Sequence, residues 1–292
     1  MLGDERQGSE SIAEMQGSVR GAEEQVTEIE TREIICEGGM PGWLCLPAGP
    51  APAPVVINLH ERYGYVKHPR DVAERFARDG FIGFAPNLFY RDGDQAAINR
   101  GDKHYDMTDP ESVEHVGHAL ATLRKLPRAD MSKVAVMGVC QTGRHVLVAA
   151  ADLPVAAGLI WYGGASAKNF RVGPLYPRPL EELIARIECP IHAVYGEACH
   201  TQPVPDVREF RNCLERHRKS FKIVISRDAP HGFLNDTMPG RYRRAQAEAG
   251  WASQLTFLRQ VFAPGYDRTR LVQIYESDIS VDYDFSKNVR LE

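Results

Sequence analysis

The chain has 292 residues, 43% hydrophobic and 25% charged, and its 35 basic against 39 acidic side chains give a net charge of −4. These values exclude a disordered, collagen-like or membrane-bundle protein, and they leave no global positive charge to recruit nucleic acid or an anionic membrane. Six cysteines with no CxxC pair are too sparse for a disulfide framework, so free thiols in a reducing cytoplasm are expected.

Residues 1–24 are polar, carry no apolar signal core, and are expected to be mobile. Residues 25–35 and Trp43–Leu46 flank the turn Gly38-Gly39-Met40-Pro41-Gly42 and predict a β-hairpin. Strand and helix then alternate. Val55–Leu59 is a β-branched run, 68–79 has a helical apolar face, and 81–85 is the next strand. A long polar loop covers 87–108. The helix over 109–126 has Asp109 as its expected N-cap and Pro110 at its first position. Strands are predicted at 133–137, 156–161, 191–195 and 221–226, with helices at 141–151, 180–186, 205–216 and 241–262. Strict alternation predicts an α/β fold, a mostly parallel central sheet with helices on both faces. The expected division is a domain over 25–263 and a C-terminal extension over 264–292. That extension includes an alternating stretch, Asp278–Phe285, read as an edge strand, a wrap around the domain, or a contact for a homodimer.

In such sheets ligands sit beyond the carboxyl ends of the strands. One strand-to-helix turn there reads Met137-Gly138-Val139-Cys140-Gln141-Thr142-Gly143, the arrangement of a nucleophile elbow. A sharp turn exposes the thiol, the helix N-terminus favours thiolate, and the Gln141 backbone N–H is aimed at a developing oxyanion. Thr142 stands where the pattern usually has glycine; the plainer reading makes Cys140 a small buried residue. His231 follows the last parallel strand and is the candidate base. The acid is expected after the preceding strand, in Tyr195-Gly196-Glu197-Ala198-Cys199-His200. Glu197 is the nearest carboxylate there, a triad acid or a surface turn residue. Glu61, in His60-Glu61-Arg62-Tyr63-Gly64, would act on the Cys140 thiol or pair with Arg62, Arg91 or Arg144. His115 and His118 have i,i+3 spacing but no third ligand, so a solvated helix face is expected rather than a metal site.

These residues resemble the dienelactone hydrolase family, the carboxymethylenebutenolidases, over roughly 55–262. The resemblance rests on His60-Glu61-x-x-Gly64, Ala85–Phe89, Gly138-x-Cys140, Tyr162-Gly163-Gly164 and His231-Gly232-Phe233. It implies an α/β-hydrolase fold, Cys140 as nucleophile, His231 as base, Glu61 against the resting thiol, and Arg62 and Gln141 backbone amides as oxyanion hole. Two positions depart from the pattern. Cys199 aligns with the family's triad aspartate, and Asn235 stands where an arginine would bind a substrate carboxylate. Arg91, Arg100, Arg144 and Arg241 are the candidate replacements, and Tyr162 and Asn235 are expected near the substrate.

The resulting expectation is a hydrolase of small, anionic lactones or esters, working through an acyl-thioester without cofactor or metal. The alternatives are an isomerase or carbon–carbon bond-cleaving enzyme of aromatic-ring degradation, and a hydrolase fold kept only for binding.

Overall fold

The computed structural model describes residues 28–291; the expectation for residues 1–24 lies outside them. The hairpin is β1 (Glu30–Ile35) and β2 (Pro41–Leu46), followed by β3 (Ala53–Leu59), α1 (Lys67–Arg78) and β4 (Ile82–Pro86). Next come α2 (Gln95–Arg100), α3 (Asp109–Leu123), β5 (Ala129–Val139), α4 (Gly143–Asp152) and β6 (Ala157–Trp161). The chain continues through α5 (Leu180–Arg186), β7 (Ile191–Ala198), α6 (Val204–Arg216), β8 (Phe221–Pro230), α7 (Arg244–Val261) and β9 (Gln273–Ser277). All nine strands form one sheet in the order β1-β2-β4-β3-β5-β6-β7-β8-β9. Only the β1–β2 and β2–β4 pairs are antiparallel.

Alternation along the inner strands builds two cores. Val55, Ile57 and Leu59 of β3 join one, with Val134 and Val136 of β5 and the apolar faces of α3–α6. Val56, Ala135, Met137 and Val139 point the other way, onto Val72 and Phe76 of α1 and Trp251, Leu255 and Leu258 of α7. A strand buried on both faces needs apolar side chains at every position, hence the unbroken hydrophobic runs. The chain leaves β3 towards β4 and returns past it to β5, so the switch point that opens a crevice lies between β3 and β5. Among the described residues no helix is long and apolar enough to cross a membrane.

Three expectations are corrected. The 87–108 loop contains α2, whose first turn is capped by Asp94 accepting from Ala97 N–H. The N-cap of α3 is Thr108 rather than Asp109: its hydroxyl accepts from Glu111 N–H while the Glu111 carboxylate accepts from Thr108 N–H, a reciprocal box. The strand in the extension is β9, just before the alternating stretch 278–285. It adds in parallel to β8, and the stretch after it packs on the same domain.

Candidate active site

Cys140 follows β5 with φ of 56°, a left-handed conformation that costs a non-glycine residue about 1–3 kcal/mol and survives only where its surroundings impose it. Close backbone approach imposes it here. A Cβ on Gly138 would stand 2.4 Å from the Thr142 carbonyl oxygen, and one on Gly163 would stand 2.1 Å from the Cys140 carbonyl oxygen. Thr142 closes the turn: its hydroxyl accepts from Val139 N–H at 2.9 Å and lies 2.8 Å from the Val139 carbonyl oxygen. It also reaches the Leu59 carbonyl oxygen at 3.2 Å, tying the elbow to β3. The departure from the glycine pattern thus has a structural use.

The Cys140 Sγ lies 3.0 Å from His231 Nε2, and the Gln141 backbone N–H faces the same sulfur. Burial, then the Glu61 carboxylate, push the thiol up to about 12. Burial also drives His231 down to about 3, helped by the charges of His200, Arg241, Arg290 and Lys168. The resting pair is therefore neutral, thiol beside imidazole. Glu61 accepts a hydrogen bond from Tyr162 Oη at 3.2 Å. Tyr162 is fully buried, has φ of 39°, and packs its ring edge-on against His231 at 5.1 Å. His60 fixes the turn that carries Glu61 and Arg62. Burial holds it down to about 4, so it is neutral, with Nδ1–H donating to the Glu61 carbonyl oxygen (2.9 Å) and Nε2 accepting from Leu88 N–H (3.0 Å).

The acid position departs from expectation. Glu197 is fully buried, but its carboxylate accepts from the backbone N–H of Asp228 (3.0 Å) and of Ser280 (2.5 Å). It fixes the bulge in β8, where Asp228 has φ of 57°, and the start of the tail, and is neither a surface turn residue nor a partner of His231. His231 Nδ1 instead faces the Thr201 hydroxyl at 2.7 Å and the Cys199 sulfur at 3.3 Å. Among the described residues no carboxylate hydrogen-bonds to it. The sequence signal for Thr201 is its place two residues beyond Cys199; a hydroxyl does not stand out there because it is not an acid.

Three expected substrate ligands have other partners. Arg144 is buried, forks onto the Asp109 carboxylate at 2.9 and 2.8 Å, and donates to the Asn169 and Arg178 carbonyl oxygens. Arg91 forms an exposed pair with Glu114. Asn235 turns its side-chain oxygen onto Thr237. The cavity over Cys140 has a volume of about 270 Å³; Arg62, Gln141, Lys168, Thr201 and His231 are among its lining residues. His115 is buried against Tyr90 rather than solvated, and His118 lies against Gly38. Among the described residues, Glu181, Cys213 and His217 form the one group close enough to share a metal ion, and none of them lines this cavity.

The Dienelactone hydrolase family model matches residues 40–262, most of the chain. The chain belongs to the dienelactone hydrolase family. It is a hydrolase acting on carboxylic ester or lactone bonds. A "Putative carboxymethylenebutenolidase" of Methylorubrum extorquens is 26% identical over 230 residues, 77% of this chain and 78% of that protein. One of the same name from Escherichia coli K12 is 27% identical over 215 residues, 72% of this chain and 78% of that protein. Among solved structures, one titled a "Putative Dienelactone Hydrolase" from Klebsiella pneumoniae superposes with a TM-score of 0.69 at 24% identity, covering 80% of this chain and 98% of that one. A dienelactone hydrolase-like phosphotriesterase from metagenomic libraries gives a TM-score of 0.65 at 18% identity, covering 80% and 99%. At these identities the structural likeness bears on the fold, the α/β-hydrolase fold.

Proposed function

We propose that this hydrolase opens small lactones or esters by covalent catalysis at Cys140. The observation that carries the reading is the 3.0 Å contact between Cys140 Sγ and His231 Nε2, made at a left-handed turn beneath the cavity. His231 Nε2 takes the thiol proton as Sγ attacks the carbonyl carbon. The backbone N–H groups of Arg62 and Gln141 receive the oxyanion. Collapse of the tetrahedral adduct breaks the C–O bond, and the imidazolium returns its proton to the leaving oxygen. Water, deprotonated by the same imidazole, then attacks the thioester; the acid is released and the thiol restored.

Glu61 acts before this sequence begins. Its carboxylate, steadied by Tyr162, disfavours thiolate and keeps the nucleophile uncharged until the carbonyl arrives. A cavity of about 270 Å³ suits a small substrate, and Arg62 and Lys168 on its wall favour an anionic one. With all six cysteines free, we place its work in a reducing compartment such as the cytoplasm.

The test is mass-spectrometric trapping with an activated aryl ester such as p-nitrophenyl acetate. One acyl group is expected on Cys140. Cys140→Ala is expected to lose both the adduct and turnover, by at least about 10³-fold. An unlabelled Cys140 in an enzyme that still turns over overturns the reading.

A further inference from the structure

His231 is held at both ring nitrogens. Nε2 faces the Cys140 sulfur, and Nδ1 faces the Thr201 hydroxyl at 2.7 Å. For Nε2 to accept the thiol proton, the ring must carry its own proton on Nδ1, and something must hold it there. The Thr201 hydroxyl oxygen is placed to accept that Nδ1–H. The Cys199 thiol, 3.3 Å from Nδ1 and 3.5 Å from Thr201 Oγ1, is the only other group in reach among the described residues.

The segment carrying both residues is fixed from behind. Asn288 Nδ2 donates to the Glu197 carbonyl oxygen (3.1 Å) and to the Cys199 carbonyl oxygen (3.2 Å), so the tail pins the backbone on which Thr201 stands. From the other side, the Gln202 side-chain oxygen accepts from Ala165 N–H at 2.8 Å. The backbone N–H groups of Thr201 and Gln202 also converge on the Cys199 sulfur. Two convergent backbone N–H groups form a nest suited to an anion; here the nest holds a neutral thiol.

We propose that Thr201 is the positioning residue of the catalytic pair, an uncharged hydroxyl that fixes the tautomer and orientation of His231 from a nest at Cys199 that a carboxylate would fit. This rests on the covalent reading above. A neutral orienter holds the ring but gives no charge to balance the imidazolium that forms during acylation. His200, Arg241, Arg290 and Lys168 act on His231 in the opposite sense. An aspartate at 199 would supply the missing charge.

The experiment measures p-nitrophenyl acetate hydrolysis across pH for four variants of the full chain, with thermal melting as the control. Thr201→Val is expected to lower kcat about tenfold, the loss of one hydrogen bond, with KM unchanged, and Thr201→Ser to restore it. Cys199→Asp is expected to raise kcat and to move the acid limb of the kcat/KM profile to higher pH, a gain that misfolding cannot imitate. The fourth variant, Cys140→Ala, separates the two readings. If it remains active, the nucleophile falls and the orienter with it. If it is inactive while Thr201→Val matches the parent, or while a well-folded Cys199→Asp leaves the acid limb in place, the orienter alone is overturned.

Discussion

Cys140 and His231, the pair we propose as catalytic, are held by different means. Cys140 sits in a cage of backbone: Gly138 against Thr142, Gly163 against the Cys140 carbonyl, and α4 bolted to α3 by the buried Arg144–Asp109 pair. His231 sits among side-chain hydrogen bonds: Thr201 and Cys199 at its ring, Glu197 and Asn288 behind them, and a tail that adds a strand to the sheet edge. Steric cages tolerate almost no substitution and are visible in sequence as spaced glycines. A hydrogen-bonded scaffold is assembled from residues far apart in the chain, and its parts can be exchanged for others of similar reach.

The largest effect is expected on the elbow side, at Arg144. Arg144→Met leaves the Asp109 carboxylate buried without its partner and is expected to lose about 3–5 kcal/mol in urea unfolding. A wild-type midpoint would mean that the elbow side is not bolted as described. If a folded fraction can be assayed, its KM for small anionic esters should be unchanged, since Arg144 is occupied within the protein. Next, Gly163→Ala forces a methyl group against the Cys140 carbonyl, and overpacking of this kind costs about 1–3 kcal/mol. Lower kcat with a lower melting temperature is the expected pair of changes; a melting temperature equal to the parent's argues against the cage.

Acid should weaken both sides together. Burial lowers His60 to about 4, and His145, His192 and His231 to about 3, against 6.5 for an exposed imidazole. The unfolded chain therefore binds protons that the folded chain refuses. This contribution to stability is fully present above pH 6.5 and is lost as pH falls towards 4 and then 3. Melting temperatures between pH 7 and pH 4, about the range these shifts define, should fall continuously. A flat profile would mean that these rings are not buried neutral. The smallest effect is expected at Asn288→Ala, which removes two hydrogen bonds from the back of the base loop. A stability loss near 1 kcal/mol should accompany a drop in kcat that spares KM, read by steady-state kinetics beside a melt; unchanged kcat would detach the tail from the site.

The same division explains what could be read from the sequence. The parallel sheet, the hairpin and each major helix were legible because their apolar runs have the periods that two-sided burial demands. The elbow was legible because Gly138, Cys140 and Gly143 mark a tight turn between a strand and a helix. The base loop was not. Glu197 is the right residue type at nearly the right place, but two backbone N–H groups, one of them 83 positions away at Ser280, already occupy its carboxylate. Arg144 misled for a related reason: guanidinium groups suit substrate anions, and only tertiary packing reveals that Asp109 has claimed this one. Thr108 displaced Asp109 as cap because Glu111 completes a reciprocal pair with it.

The glycine contacts around the elbow have a consequence for motion. The Cys140 carbonyl stands against Gly163, and a Cβ on Gly143 would stand 2.7 Å from the Gly163 main chain, so the turns after β5 and β6 cannot slide past each other without a clash of main chains. That contact locks the turn carrying the Cys140 sulfur to the turn carrying Tyr162. The imidazole, by contrast, owes its place to its contacts with the Thr201 hydroxyl and the Cys199 thiol. The alignment of sulfur and imidazole is then set on the His231 side, by the hydrogen bond at its Nδ1.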